Sequence, residues 1–268
     1  MTLIVDTPEA RRLDYDALKT IPALQGTATW QPIAHVRAVD FVTKAVEDAG
    51  FQIAKIDLAV ARGEDRFFGT LDLKTHVTDE TTLTVGVRDS IDKSLSFGLV
   101  CGERCLVCTN LCFGSDEGIE MLRKHSGNIE NDLYDRIKTA MNGLDAYRRQ
   151  AQQRILHLEC KQLCYESTNS IILDAFRKRI IGTSMLKRLV KEWHEPSCEE
   201  FNPRTAWSLT NALTHVIKDR QQIIQYELLK KHQALPFWKG FLEMEARDRC
   251  PYLHDASRVL LCAQMQTD

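Results

Sequence analysis

No window of this chain approaches the run of about 18 apolar residues that a membrane-spanning helix requires, so we expect no such span. The opening MTLIVDTPEARRLD lacks a basic stretch followed by a long apolar core, so no secretory leader is expected. Strong charge of one sign is also absent: 35 Lys and Arg face 37 Asp and Glu. That balance argues against a protein that grips polyanions through bulk charge alone. Familiar catalytic signatures are missing, with no GxSxG, no GxxxxGK[ST] and no HExxH. A Ser/His/Asp triad is not excluded by this, but nothing nominates one. There is no repeat period and no low-complexity segment, which removes solenoids and linkers.

What remains is an ordinary globular composition, 44% apolar and 27% charged over 268 residues, able to bury a sizeable core. Nine cysteines without a leader point to reduced thiols in a cytosol-like compartment. The near-neutral total hides an asymmetry. Residues 1–120 carry 12 Lys and Arg against 19 Asp and Glu, whereas residues 121–268 carry 23 against 18. The basic excess falls in the half that reads as helical.

Three stretches are expected: a lead-in over 1–30, a sheet region with flanking helices over 31–126, and a helical region over 127–268 packed on the sheet as one unit. Trp30-Gln31-Pro32 opens a helix whose apolar positions Ile33, Val36, Phe41, Ala45 and Val46 follow helical spacing, with Gly50 as its stop. Phe51–Val60 and Arg66–Lys74 read as a hairpin around the turn at 61–65. Thr81–Arg88 and Leu95–Cys112 add strands. Successive strands without intervening helices predict an antiparallel sheet, hence an α+β fold. Glu117–His125 reads as a short helix. Asn128 then caps a stripe from Ile129 to Leu158 that predicts a helix of about 35 residues, which Gly143 can bend. Helices follow over Ser167–Ile181 and Thr183–Trp193. Another runs over Arg204–Lys218, capped by Asn202-Pro203 and able to continue to His232.

The densest polar chemistry runs from Val85 to His125. The turn Arg88–Ser94 offers one Arg, two Asp, two Ser and one Lys. Hydroxyls, backbone N–H groups and cations on a hairpin tip suit phosphodiester contacts. Asp89 and Asp92 are alternatively hard-oxygen ligands for a divalent cation. Cys101, Cys105, Cys108 and Cys112 raise zinc or an iron–sulfur cluster, and Cys108 a reactive thiol. The plainer reading is small apolar cysteines packing a strand, where Cys101 and Cys105 share a face. Arg123, Lys124 and His125 read as a basic helix end. Trp207 lies on one side of its helix with Asn211, His215 and Lys218.

The segments ATWQPIAH (28–35), RFFGTLDL (66–73), VGVRDSIDKSLSFGLVCGERCLVCTNLCF (85–113), RKHS (123–126) and AWSLTNALTHVIK (206–218) resemble the DUF932 family of phage- and plasmid-associated proteins. Asp89 and Thr109 depart from the family pattern, and of the four cysteines only Cys108 belongs to it. The resemblance implies a mobile-element protein in a bacterial cytoplasm and supplies no catalytic residues. The element order is also similar to that of ring-forming single-strand annealing proteins, a likeness of fold alone.

The leading expectation is a non-catalytic nucleic-acid-binding protein, with single-stranded DNA as partner and a homo-oligomer as an option. Arg88, Ser90, Lys93, Ser94, Asn110, Arg123, Lys124, His125 and Arg204 would form its contact track, with Trp207 stacking on bases. Two rivals stand beside it. One is a metal-dependent phosphodiester enzyme using Asp89, Asp92, Asn110 and His125. The other is an interaction protein acting on a host defence factor.

Overall fold

A computed structural model describes residues 11–61, 63–106, 111–113, 119–127, 129–178 and 181–218. The fold is α+β, with an antiparallel sheet in the N-terminal half and helices in the C-terminal half. The chain divides into two compact units, and the boundary falls after Gln150.

In the first unit, β1 (Arg11–Leu13) and the short helix α1 (Tyr15–Lys19) precede α2 (His35–Asp48). Helix α2 buries His35, Ala38, Val39, Phe41, Val42, Ala45 and Val46, a stripe at helical spacing. Gly50, at φ 85°, ends it: Gly50 N–H donates to Glu47 O at 2.9 Å and Phe51 N–H to Val46 O at 3.1 Å. This Schellman turn needs the left-handed backbone that glycine adopts without strain.

The strands β2 (Ile53–Ala61), β3 (Arg66–Thr78), β4 (Thr81–Ser90) and β5 (Phe97–Cys105) follow as a meander, each antiparallel to the last. On the outer side of β5, β6 (Leu111–Phe113) pairs with Gly102–Arg104 and β7 (Glu120–Arg123) with Phe97–Val100. The segment expected as a helix over 117–125 instead contributes the strand Glu120–Arg123. Its main chain satisfies the free edge of β5, and that non-local demand outweighs local helix spacing.

Register divides the sheet into two faces. Phe67 pairs with Asp89, Gly69 with Val87 and Leu71 with Val85 on one face. Phe68 pairs with Arg88, Thr70 with Gly86 and Asp72 with Thr84 on the other. Leu71, Leu83, Leu99, Phe67 and Phe97 are fully buried on the first, which holds the core.

The expected 35-residue helix is two, α3 (Ile129–Met141) and α4 (Leu144–Cys160), interrupted at Asn142-Gly143. Its apolar stripe is real, since Ile129, Leu133, Ile137, Met141, Leu144, Tyr147, Ala151, Ile155 and Leu158 are all buried. The expected cap Asn128 lies outside the described residues.

The second unit holds the end of α4, then α5 (Tyr165–Arg177), α6 (Thr183–His194) and α7 (Ala206–Lys218). Its core joins Ile171, Ile172, Met185, Leu189, Trp193, Leu209 and Leu213. The cap of α7 is Thr205, whose Oγ1 accepts from Ser208 N–H at 3.1 Å, in place of the expected Asn202. Continuation to His232 lies outside the described residues. No helix among the described residues is long and apolar enough to cross a membrane.

Candidate functional site

Asp89 stands near the end of β4 on the core face, and its side chain is fully buried. His35, the first residue of α2, and His125, just beyond β7, reach it from two directions. Nδ1 of His35 lies 3.5 Å from Oδ2 of Asp89, and Nε2 of His125 lies 2.9 Å from Oδ1. The imidazole of His35 stacks on Phe67, with ring centroids 5.4 Å apart. A Cβ on Gly69 would come within 2.9 Å of Phe67 Cζ, so the missing side chain makes room for that ring.

The far ring nitrogens face backbone carbonyls. Nε2 of His35 lies 3.0 Å from Glu64 O, and Nδ1 of His125 lies 3.3 Å from Gln31 O. Gln31 N–H donates back to His125 O at 3.2 Å, tying the two segments together. Glu64 sits at φ 79° and Gly63 at φ 64°, so the β2–β3 turn passes through left-handed backbone to present that carbonyl. The carboxylate–imidazole contacts themselves are not hydrogen bonds. Asp89 Oδ1 and Oδ2, His35 Nδ1 and His125 Nε2 are buried with no hydrogen-bond partner.

The β4–β5 turn is built differently. Asp92 accepts from Ser94 N–H at 2.9 Å, an Asx turn. Burial works to raise the Asp92 pKa, but hydrogen bonds from Ser94 and Ser90 and the charge of Arg66 outweigh it, holding the carboxyl below its ordinary range. Ser90 is fully buried, accepting from Leu95 N–H at 2.9 Å and donating to Leu95 O at 3.1 Å. Lys93 and Ser94 form the exposed tip. Lys93 holds φ 67°, and its ammonium sits 4.8 Å from the Trp30 ring. Ser94 Oγ accepts from Arg66 Nε at 2.8 Å.

The expected track thus divides. Arg88 is buried on the polar face, across from Gly98. Arg123 donates through Nε to Asp132 Oδ1 at 3.1 Å and through Nη1 to Ser126 Oγ at 2.8 Å. Lys124 is exposed. His125 is drawn inward to Asp89. Arg204 and Trp207 belong to the second unit, where the Arg204 guanidinium lies 5.1 Å from the Trp193 ring and donates to His194 O at 3.2 Å. Trp207 packs against that unit's core. Asn110 and Cys108 lie outside the described residues. Cys101 and Cys105 are buried on the core face, and burial, with Glu103 beside it, drives the Cys101 thiol pKa upward. Among the described residues, no group of three or more His, Cys, Asp or Glu side chains is placed to hold a metal ion.

Reasoning from the sequence named Asp89, Asp92 and His125 but missed His35, Arg66 and Trp30. His35 was hidden inside an apolar helical stripe. A histidine between the apolar residues Ala34 and Val36 was the available signal. In the comparisons with known proteins, the chain matches no family model, no curated protein and no solved structure.

Proposed function

We propose that this protein binds single-stranded nucleic acid through the β4–β5 turn. The observation that carries the reading is the exposed tip, where Lys93 lies against Trp30 and Arg66 donates to Ser94. Two cations, an aromatic face and a hydroxyl stand together, the combination that single-strand binders use for backbone and base. Lys93 is held in a left-handed conformation costly for a residue with a side chain, so the turn spends stability to place it. We extend the proposal, on the resemblance read in residues 85–113 of the sequence, to mobile-element DNA metabolism.

The test is a fluorescence-anisotropy titration with a single-stranded oligonucleotide across salt concentrations. Replacing Arg66 and Lys93 together by Ala should lower the magnitude of the log K against log salt slope by about 1.4, at about 0.7 per lost phosphate contact. Trp30→Ala should weaken binding by about 1–3 kcal/mol per stacked base. An unchanged slope and affinity in the double variant would reject the assignment.

A second reading, a phosphodiester enzyme, is favoured by one observation: Asp89 and His125, both nominated for that chemistry, lie 2.9 Å apart. Divalent-metal-dependent cleavage of DNA or RNA that disappears in Asp89→Asn is its test.

A further inference from the structure

Trp30 is held through its backbone on both sides. Its carbonyl accepts from Thr27 N–H at 2.7 Å, its N–H donates to Thr27 O at 3.3 Å, and the next residue, Gln31, donates to His125 O at 3.2 Å. The indole nitrogen is buried although the residue is only half-buried, so the ring stands on its inner edge. Over that fixed ring lies a movable group. Lys93 is exposed, and its ammonium, on a flexible four-carbon stem, sits 4.8 Å from the ring centroid. The neighbours of Lys93 in the turn are engaged with each other: Asp92 accepts from Ser94 N–H, and Ser94 Oγ accepts from Arg66. The indole is therefore the group on which Lys93 rests in the free protein. That same face is where an unpaired base would stack.

The two occupants compete, and magnitudes decide between them. An exposed cation–π contact shifts an equilibrium by about 2–5-fold. A base stacked on an aromatic ring shifts it by about 5–150-fold. The ring thus prefers the base, and displacement frees the ammonium beside the nucleotide's own phosphate. Resting on the single-strand reading above, we propose that Lys93 is a latch on Trp30. It covers the stacking face until an unpaired base takes its place, and then moves to the adjoining phosphate. The ligand class follows from this exchange. Opening the latch needs a base that is free to stack, and completing the exchange needs a phosphate next to it. Inorganic phosphate and paired duplex supply the phosphate without the free base. Single-stranded nucleic acid supplies both.

The probes are a single-stranded phosphodiester oligonucleotide and the same sequence with an uncharged methylphosphonate backbone, each titrated into the full chain. Lys93→Ala should bind the uncharged probe about 2–5-fold more tightly than the wild-type protein, because no cation has to leave the ring. On the phosphodiester probe the same variant should lower the magnitude of the salt slope by about 0.7, for one lost phosphate contact. A latch gives these opposite responses. A lysine that only meets phosphate leaves the uncharged probe unchanged, and one that merely supports the ring weakens it. A ligand-free measurement stands beside them. Acrylamide quenching of Trp30 emission, isolated as the difference from Trp30→Phe, should rise in Lys93→Ala. Unchanged, weaker or absent binding of the uncharged probe by Lys93→Ala, or unchanged quenching, would overturn the latch, while a loss of phosphodiester affinity in Trp30→Ala keeps the single-strand reading. Full phosphodiester affinity in Trp30→Ala would overturn both.

Discussion

Two buried aspartates on neighbouring strands of one sheet have opposite surroundings. Asp72, on the polar face, accepts from Arg104 Nε at 2.7 Å and from Thr84 Oγ1 at 2.8 Å, and Arg104 also donates to Thr70 Oγ1 at 3.1 Å. Every partner brings a hydrogen. Asp89, on the core face, meets two imidazoles and gains no hydrogen bond from either. A completed network fixes a structure, whereas buried acceptors without donors mark a place where local rules give way, as they do at functional sites. The difference separates scaffold from site within 20 residues of sequence.

The contrast can be broken by substitution. The largest effect is expected at Asp72→Ala, which strands the Arg104 guanidinium inside the protein. Breaking a buried pair costs about 3–5 kcal/mol, measured as a fall in urea unfolding free energy. Gly69→Ala comes next. The added methyl would meet Phe67 Cζ at 2.9 Å and Val87 Cγ1 at 3.0 Å, and overpacking of this kind costs about 1–3 kcal/mol. It would also shift the ring on which His35 stacks. Asp89→Asn should cost less than about 1 kcal/mol, because the new amide N–H supplies one donor to a lone pair that had none. Equal costs at Asp72 and Asp89 in the same urea experiment would erase the distinction.

The smallest effect is a pH dependence at the turn. Asp92 has a lowered folded-state pKa, so its contribution to stability is present at neutral pH. That contribution is lost as pH falls below the ordinary value of 3.8 and through the folded value. Carboxyl NMR titration should place Asp92 below an unfolded aspartate, and Asp92→Asn should remove its share of the acid loss.

The sheet was legible because its strands are consecutive and its turns carry recognisable residues. The hairpin at 61–65, the stop at Gly50 and the stripe from Ile129 to Leu158 are all local patterns. The β7 strand was not legible. Residues 120–123 form it by pairing with a segment about 20 to 26 residues earlier, and no local spacing reports that. The His–Asp–His cluster failed to show for the same reason in stronger form. Positions 35, 89 and 125 converge only after a helix, a turn and an edge strand have each been placed. The turn was half legible: its composition marked Lys93 and Ser94, but Arg66 and Trp30 arrive from other elements.

The outermost strands of the sheet are short: three residues in β1, three in β6 and four in β7. Arg11 and Arg12, both exposed, occupy the first of these. Stubby, charged margins offer little template for another chain to zip onto, so the described sheet resists fibre growth by strand addition. Among the described residues, side chains rather than a continuous backbone ladder are what these margins offer to a neighbouring molecule.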